Sequence, residues 1–198
     1  MGGFVAIEGL DGVGKSTVIE LLARCFSGHA MSTPGLELHE IRKATLDAFA
    51  DDELAKALFY AASVSSQGRK ARNLTERGEW VFMDRYWAST LAYAKARGVT
   101  ADLHQLSNNL IQPDMTVLLL LNEPERKRRL LTRGATVEDV ETLDPDFRLC
   151  VLNELKARAC LKIDVSGYEP LAVSQILEKV IRDRVRRTPA LSHTEGPA

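Results

Sequence analysis

Eight residues near the amino terminus, Gly9-Leu10-Asp11-Gly12-Val13-Gly14-Lys15-Ser16, constrain this chain more than any other stretch. They match the pattern G-x-x-x-x-G-K-[ST]. They lie between a short apolar run, Gly3 to Ile7, and a stretch with apolar residues at Val18, Ile19, Leu21, Leu22 and Phe26. Strand, glycine-rich turn and amphipathic helix in that order make a phosphate cradle. The glycines let the backbone wrap so that its N–H groups point inward at phosphate oxygens. The helix that opens near Lys15 adds the positive end of its dipole.

In such a cradle Lys15 reaches the β- and γ-phosphates of a nucleoside triphosphate, and the Ser16 hydroxyl ligates Mg²⁺. Gly9, Asp11, Gly12, Val13, Gly14, Lys15, Ser16 and Thr17 are therefore expected to hold ATP with Mg²⁺. The same loop serves GTPases, motors and metabolic kinases. A GTPase would normally add an Asn-Lys-x-Asp element for guanine, and none occurs.

Further apolar runs follow at His29 to Met31, Trp80 to Met83, Met115 to Leu121 and Cys160 to Val165. The run from Met115 lacks alternation, as expected of a strand buried on both faces of a parallel sheet. Helical stretches are expected at about 37–50, 52–77, 86–97, 101–111, 123–133, 145–159 and 170–186. Strands separated by helices predict an α/β chain: a five-stranded parallel sheet with helices on both faces, the P-loop NTPase fold. Residues 1–185 are expected to form one P-loop domain. The polar stretch from Arg133 to Asp144 suggests a mobile lid at about 133–145, and 186–198 reads as a flexible tail.

Net charge is −1 over 198 residues, so no global basic field gathers nucleic acid or an anionic membrane. Three separated cysteines, Cys25, Cys150 and Cys160, give neither a disulfide framework nor a metal cluster. Buried thiols in a reducing cytoplasm are expected. No apolar run is long enough to span a bilayer and no signal peptide is read at the start.

The second marker is Val81-Phe82-Met83-Asp84-Arg85-Tyr86, an apolar run ending in an acidic, a basic and an aromatic residue. Carboxyl ends of parallel strands converge on the ligand crevice. Asp84 is thus placed to hold Mg²⁺ directly or through water, and Arg85 to bridge donor and acceptor phosphates.

With these motifs in place, the chain resembles the thymidylate kinase family of nucleoside monophosphate kinases. FVAIEGLDGVGKST resembles that family's first strand and P-loop, VFMDRYWASTLAYAKARG its Asp-Arg-Tyr strand and following helix, QPDMTVLLLLNEPERKRRLLTRG its fourth strand and lid entry, and IDVS its last strand. The resemblance implies an ATP-dependent kinase of a pyrimidine nucleoside monophosphate, with dTMP favoured. It places Asp11 by the acceptor sugar, Tyr93 near its 2′ carbon and Thr90 beside the base. Gly12 stands where some members carry a catalytic Arg, so that cation is expected from the lid, from Arg129 or, in preference, Arg133. A homodimer follows by family analogy, with the apolar face of 86–97 as a possible contact.

The departures fall in the acceptor half. Ser32-Thr33-Pro34-Gly35 lacks the family's phosphate-binding Arg, for which Arg42 is the candidate substitute. Where members carry Phe-Ala-Ala-Asp-Arg, this chain has Phe59-Tyr60-Ala61-Ala62-Ser63-Val64. Tyr60 or Phe59 can offer an aromatic face, but Val64 cannot make the hydrogen bond of the Arg. These segments look closer to the mitochondrial UMP/CMP kinase branch, which keeps UMP, CMP and dUMP open as acceptors. A deoxynucleoside kinase with Glu8 as base, and a non-catalytic nucleotide sensor, are the readings from other classes.

Overall fold

Alternation along the first strand sets the architecture. In β1 (Gly3–Glu8) every residue is buried, with Phe4 and Ala6 in one apolar cluster and Val5 and Ile7 in another. A strand covered on both sides has no polar face, which is why its sequence is a continuous apolar run. The structure, a computed structural model, describes residues 2–134 and 137–187.

Five strands form one parallel sheet: β1, β2 (His29–Ser32), β3 (Trp80–Asp84), β4 (Met115–Leu120) and β5 (Leu161–Asp164), in the order β2-β3-β1-β4-β5. Helices α1 (Lys15–Phe26) and α8 (Pro170–Arg187) pack against each other, and α3 (Glu53–Glu76), α4 (Trp87–Ala96) and α7 (Pro145–Arg158) pack in succession. The remaining helices are α2 (His39–Ala48), α5 (Glu123–Arg133) and the short α6 (Val137–Glu141). This is the five-stranded α/β sheet expected from the sequence. Helix starts follow the local chemistry: Asp52, Asn122 and Asp144 cap α3, α5 and α7 by accepting from backbone N–H groups three residues on.

Three expectations change. The stretch 101–111 is a 3₁₀ segment, Leu103–Asn109, because only Leu103 in it is buried and no apolar stripe supports a longer α-helix. None of the three cysteines is buried: Cys25 and Cys160 are exposed and Cys150 is half-buried. The face of α4 offered as a subunit contact is instead enclosed between α3 and α7, with Trp87, Leu91, Ala92 and Ala94 buried. The polar stretch after Arg133 contains α6 and two fully buried side chains, Asp139 and Thr142. Residues 135–136 of the expected lid and 188–198 of the expected tail lie outside the described residues, whereas 186 and 187 continue α8.

No helix among the described residues is long and apolar enough to cross a membrane.

Candidate active site

The carboxyl ends of β1 and β3 meet over one cavity of about 930 Å³. Its floor at one end is the glycine-rich turn after β1. Gly12 and Gly14 have φ of 88° and 95°, in the left-handed region that side chains disfavour. A Cβ at Gly12 would also press on Leu130 and Arg126 of α5. Lys15 and Ser16 then open α1. Lys15 is 6% exposed and its Nζ donates to the Leu10 carbonyl at 3.1 Å. Burial, reinforced by the nearby Arg85, lowers its pKa.

Of the expected cradle residues, Asp11, Gly12, Gly14, Lys15, Ser16 and Thr17 line the cavity. Gly9 and Val13 are not among the lining residues. Val13 packs into the core, and Gly9 lies so close to the Leu119 carbonyl that a Cβ would stand 2.8 Å from it.

The end of β3 adds the second group. The Ser16 hydroxyl donates to Oδ2 of Asp84 at 2.7 Å, while Oδ1 of Asp84 is buried without a hydrogen-bond partner. Among the described residues no set of three His, Cys, Asp or Glu side chains could hold a metal. A hydroxyl beside a carboxylate with a spare oxygen is nonetheless the hard-donor pair that suits Mg²⁺, which keeps water and phosphate oxygens as its other ligands.

Arg85 is held with φ 61°, unusual for a non-glycine residue. Its N–H donates to the Ile7 carbonyl at 3.0 Å and its carbonyl accepts from the Thr33 hydroxyl at 2.9 Å, so β1 and the end of β2 fix it. Its guanidinium donates to Asp11 at 2.7 Å and to the Ser89 hydroxyl at 3.2 Å. Burial acts to raise the Asp11 pKa, but Arg85 and Lys15 outweigh it and hold the carboxyl well below its usual range. Against its own burial, Asp11 raises the Arg85 pKa.

Glu8 takes no part in this cavity. Its fully buried carboxylate accepts from the N–H of Tyr86 at 2.9 Å and of Ser89 at 3.3 Å, and from the Ser89 hydroxyl. It thus closes the amino end of α4, with burial pushing its pKa up. A general base for an acceptor hydroxyl would have to face the ligand, so the role offered to Glu8 in a deoxynucleoside kinase loses its residue.

The far end of the cavity is walled by α3 and α4. Tyr60, Thr90, Tyr93 and Arg42 line it. Arg42 donates through Nε and Nη2 to the Tyr60 hydroxyl at 3.1 and 2.9 Å. Phe59, the alternative to Tyr60, does not line the cavity and packs edge-on against Tyr60. Val64 is fully buried in the core. Tyr93 lies between two guanidiniums, Arg85 at 5.2 Å and Arg97 at 5.6 Å from its ring centroid.

Above the turn, Arg129 and Arg133 of α5 both border the cavity. Arg129 bonds Glu125 at 2.6 Å, and Arg133 bonds Asp139 at 2.7 Å with half its side chain exposed. Arg126 stands on the same helix, α5. It is fully buried, donating to the Asp11 carbonyl, the Thr142 hydroxyl and the Thr142 carbonyl at 3.2, 3.0 and 2.7 Å. It joins the glycine-rich turn to the segment after α6. Its spacing of four before the buried Leu130 was the only sequence sign of this. Arg97 and Glu53, which also line the cavity, carried no sequence signal.

A parallel sheet in this order, with an inward-facing lysine, a Ser–Asp pair and a cluster of arginines around one long cavity, defines a P-loop phosphotransferase. The family model described as thymidylate kinase matches residues 7–169. A probable thymidylate kinase of Thermococcus gammatolerans is 34% identical over 155 residues, covering 70% of this chain and 74% of that protein. A thymidylate kinase of Parasynechococcus marenigrum is 29% identical over 208 residues, covering 93% of this chain and 99% of that one. The solved thymidylate kinase of Candida albicans superposes with a TM-score of 0.75 at 23% identity, over 93% of this chain and 92% of that one, which speaks for the fold. The chain belongs to the thymidylate kinase family, whose members are ATP-dependent nucleoside monophosphate kinases.

Proposed function

We propose that this chain transfers the γ-phosphoryl group of ATP to dTMP, giving dTDP and ADP. The observation that carries the reading is the single cavity that joins the Lys15–Ser16 cradle to an aromatic acceptor end through Arg85. In this reading the cradle and Lys15 bind the ATP phosphates, with Arg85 between them and the acceptor phosphate. Arg42 holds that acceptor phosphate from the other side. Tyr60 gives the base a face, Thr90 lies at its edge, and Tyr93 and Asp11 border the sugar.

Two phosphates brought to about 4 Å repel by roughly 4 kcal/mol per unit charge pair at an effective dielectric near 20. Lys15, Arg85 and one α5 arginine offset that repulsion, and one such arginine contributes about 10³–10⁵ in rate. Arg133 is assigned this role because it borders the lid segment. Mg²⁺ held by Ser16 and Asp84 would neutralise charge on the β- and γ-oxygens. Closure of residues 133–145 would exclude water and keep ATP from hydrolysing. The remaining residues up to about 185 form one kinase domain around this site, acting in the cytoplasm as a homodimer.

Val64 favours a second reading. Without an arginine at that position, UMP, CMP or dUMP becomes the competing acceptor, in the manner of the UMP/CMP kinase branch. A non-catalytic sensor is disfavoured because Lys15, Ser16 and Asp84 are all retained and adjacent.

A coupled ADP-release assay with Mg-ATP and dTMP, dUMP, UMP, dCMP, CMP, AMP, GMP and thymidine tests the proposal. The highest kcat/KM is expected with dTMP. A preference for UMP or CMP would favour the second reading, and turnover with thymidine alone would exclude both.

A further inference from the structure

We propose that Arg97, paired with Glu53, reads the Watson–Crick edge of the acceptor base, taking over at the end of α4 the task that Val64 cannot perform on α3. The inference rests on the acceptor being a pyrimidine monophosphate with a 4-oxo group. Arg97 caps the carboxyl end of α4 and lines the far end of the cavity. Its side chain is 17% exposed and is oriented by two anchors. Nε and Nη2 donate to the two carboxylate oxygens of Glu141 on α6 at 3.1 and 2.6 Å, and the guanidinium lies over the Tyr93 ring. These bonds leave Nη1 donating no hydrogen bond to any described residue.

Glu53 supplies the complementary group. Its Oε1 accepts from Lys56 at 2.7 Å, while Oε2 is buried without a hydrogen-bond partner, 3.7 Å from Nε of Arg97. A buried carboxylate oxygen left unpaired carries a desolvation cost, and a ligand N–H would relieve it. A donor beside an acceptor matches the O4 and N3–H of a 4-oxo pyrimidine. Ala57 and Ala94, both nearly buried, line the same cavity and give a 5-methyl group an apolar wall. A fixed guanidinium is well suited to this work, since its planar fork loses little freedom on bonding.

The test compares dTMP with 5-methyl-dCMP, which keeps the methyl group but presents an amino donor at position 4 and an acceptor at N3. Wild type, Arg97→Met, Arg97→Lys, Glu53→Gln and Glu141→Ala are assayed in full-length protein, with melting curves to verify folding. Arg97→Met is expected to lower kcat/KM for dTMP about 10- to 100-fold, mostly through KM, and to shrink the dTMP preference by a similar factor. Arg97→Lys should recover part of that preference, and Glu53→Gln should lose part of it. Glu141→Ala, which removes the tie to α6 but leaves the Arg97 donor, should keep it. Equal loss with both nucleotides in Arg97→Met, or the same collapse in Glu141→Ala, would make Arg97 a lid tether and overturn the inference. Wild-type protein that turns over 5-methyl-dCMP but not dTMP would overturn the proposed function as well. Strong wild-type turnover of dTMP with an unchanged preference in Arg97→Met would remove this inference alone.

Discussion

The Asp11 carboxylate accepts from Arg85 at 2.7 Å and lies 3.6 Å from Nζ of Lys15, so one side chain from the glycine-rich turn holds two cations from different elements. The pairing places Lys15 and Arg85 on a common anchor. Removing the anchor leaves two largely buried cations facing each other. Asp11→Asn is expected to destabilise the protein by about 1–3 kcal/mol, less than a fully buried pair because Asp11 is 26% exposed. Urea unfolding at pH 7 checks this, and kcat/KM should fall in parallel.

The same pair sets an acid limit. The folded-state pKa of Asp11 lies below its unfolded value near 4, so its contribution is present above about pH 4. It is lost as the pH falls below that value and the carboxyl takes up a proton. The melting temperature of the wild type should drop between pH 4 and pH 3 more steeply than that of Asp11→Asn. Parallel curves would show that other carboxylates govern acid unfolding.

Glu8 closes the amino end of α4 and does not act on the acceptor. Glu8→Gln, which keeps one acceptor oxygen, is expected to hold kcat within about tenfold, whereas loss of a general base would cost about 10²–10⁴. Glu8→Ala should lower the melting temperature because the N–H groups of Tyr86 and Ser89 lose their acceptor. Steady-state kinetics of the Gln variant separates the two roles.

Arg126 ties the glycine-rich turn to the segment after α6. Arg126→Met leaves the Asp11 carbonyl without its buried donor and the Thr142 carbonyl with only the 3.4 Å bond from Arg148, at a cost of about 1–3 kcal/mol. The KM for ATP should rise in any variant that remains folded. Denaturant titration and ATP kinetics check the two effects separately.

Gly68 sits where α3 crosses Tyr86, and a Cβ there would collide with the Tyr86 hydroxyl, which donates to the Ile111 carbonyl at 2.8 Å. Alanine in mid-helix normally gains about 0.5–1 kcal/mol over glycine. Gly68→Ala should instead lose about 1–3 kcal/mol from overpacking, read as a lower urea midpoint.

Features written in contiguous residues were legible in the sequence. The run Gly3 to Ile7, the glycine pattern through Ser16 and the Asp84-Arg85-Tyr86 strand end each carry their own local signal, and the fold puts the first in the core and brings the other two to one cavity. Residues whose roles depend on distant partners were not legible. Arg97 needs Glu141 from α6 and Glu53 from α3, and Arg126 needs Thr142, none of which spacing along one helix reveals. Tyr60 and Phe59 are adjacent, so composition alone could not say which faces the cavity. The burial of α4 on two sides likewise depends on α7, far along the chain.

The most direct test of phosphoryl transfer to dTMP is a single-turnover reaction with γ-³²P-labelled ATP, Mg²⁺ and dTMP, with the labelled products separated and counted. The account predicts label in dTDP, and almost none there when Lys15 is replaced by Met. Label released only as inorganic phosphate, or remaining in ATP while another monophosphate is labelled readily, would contradict it.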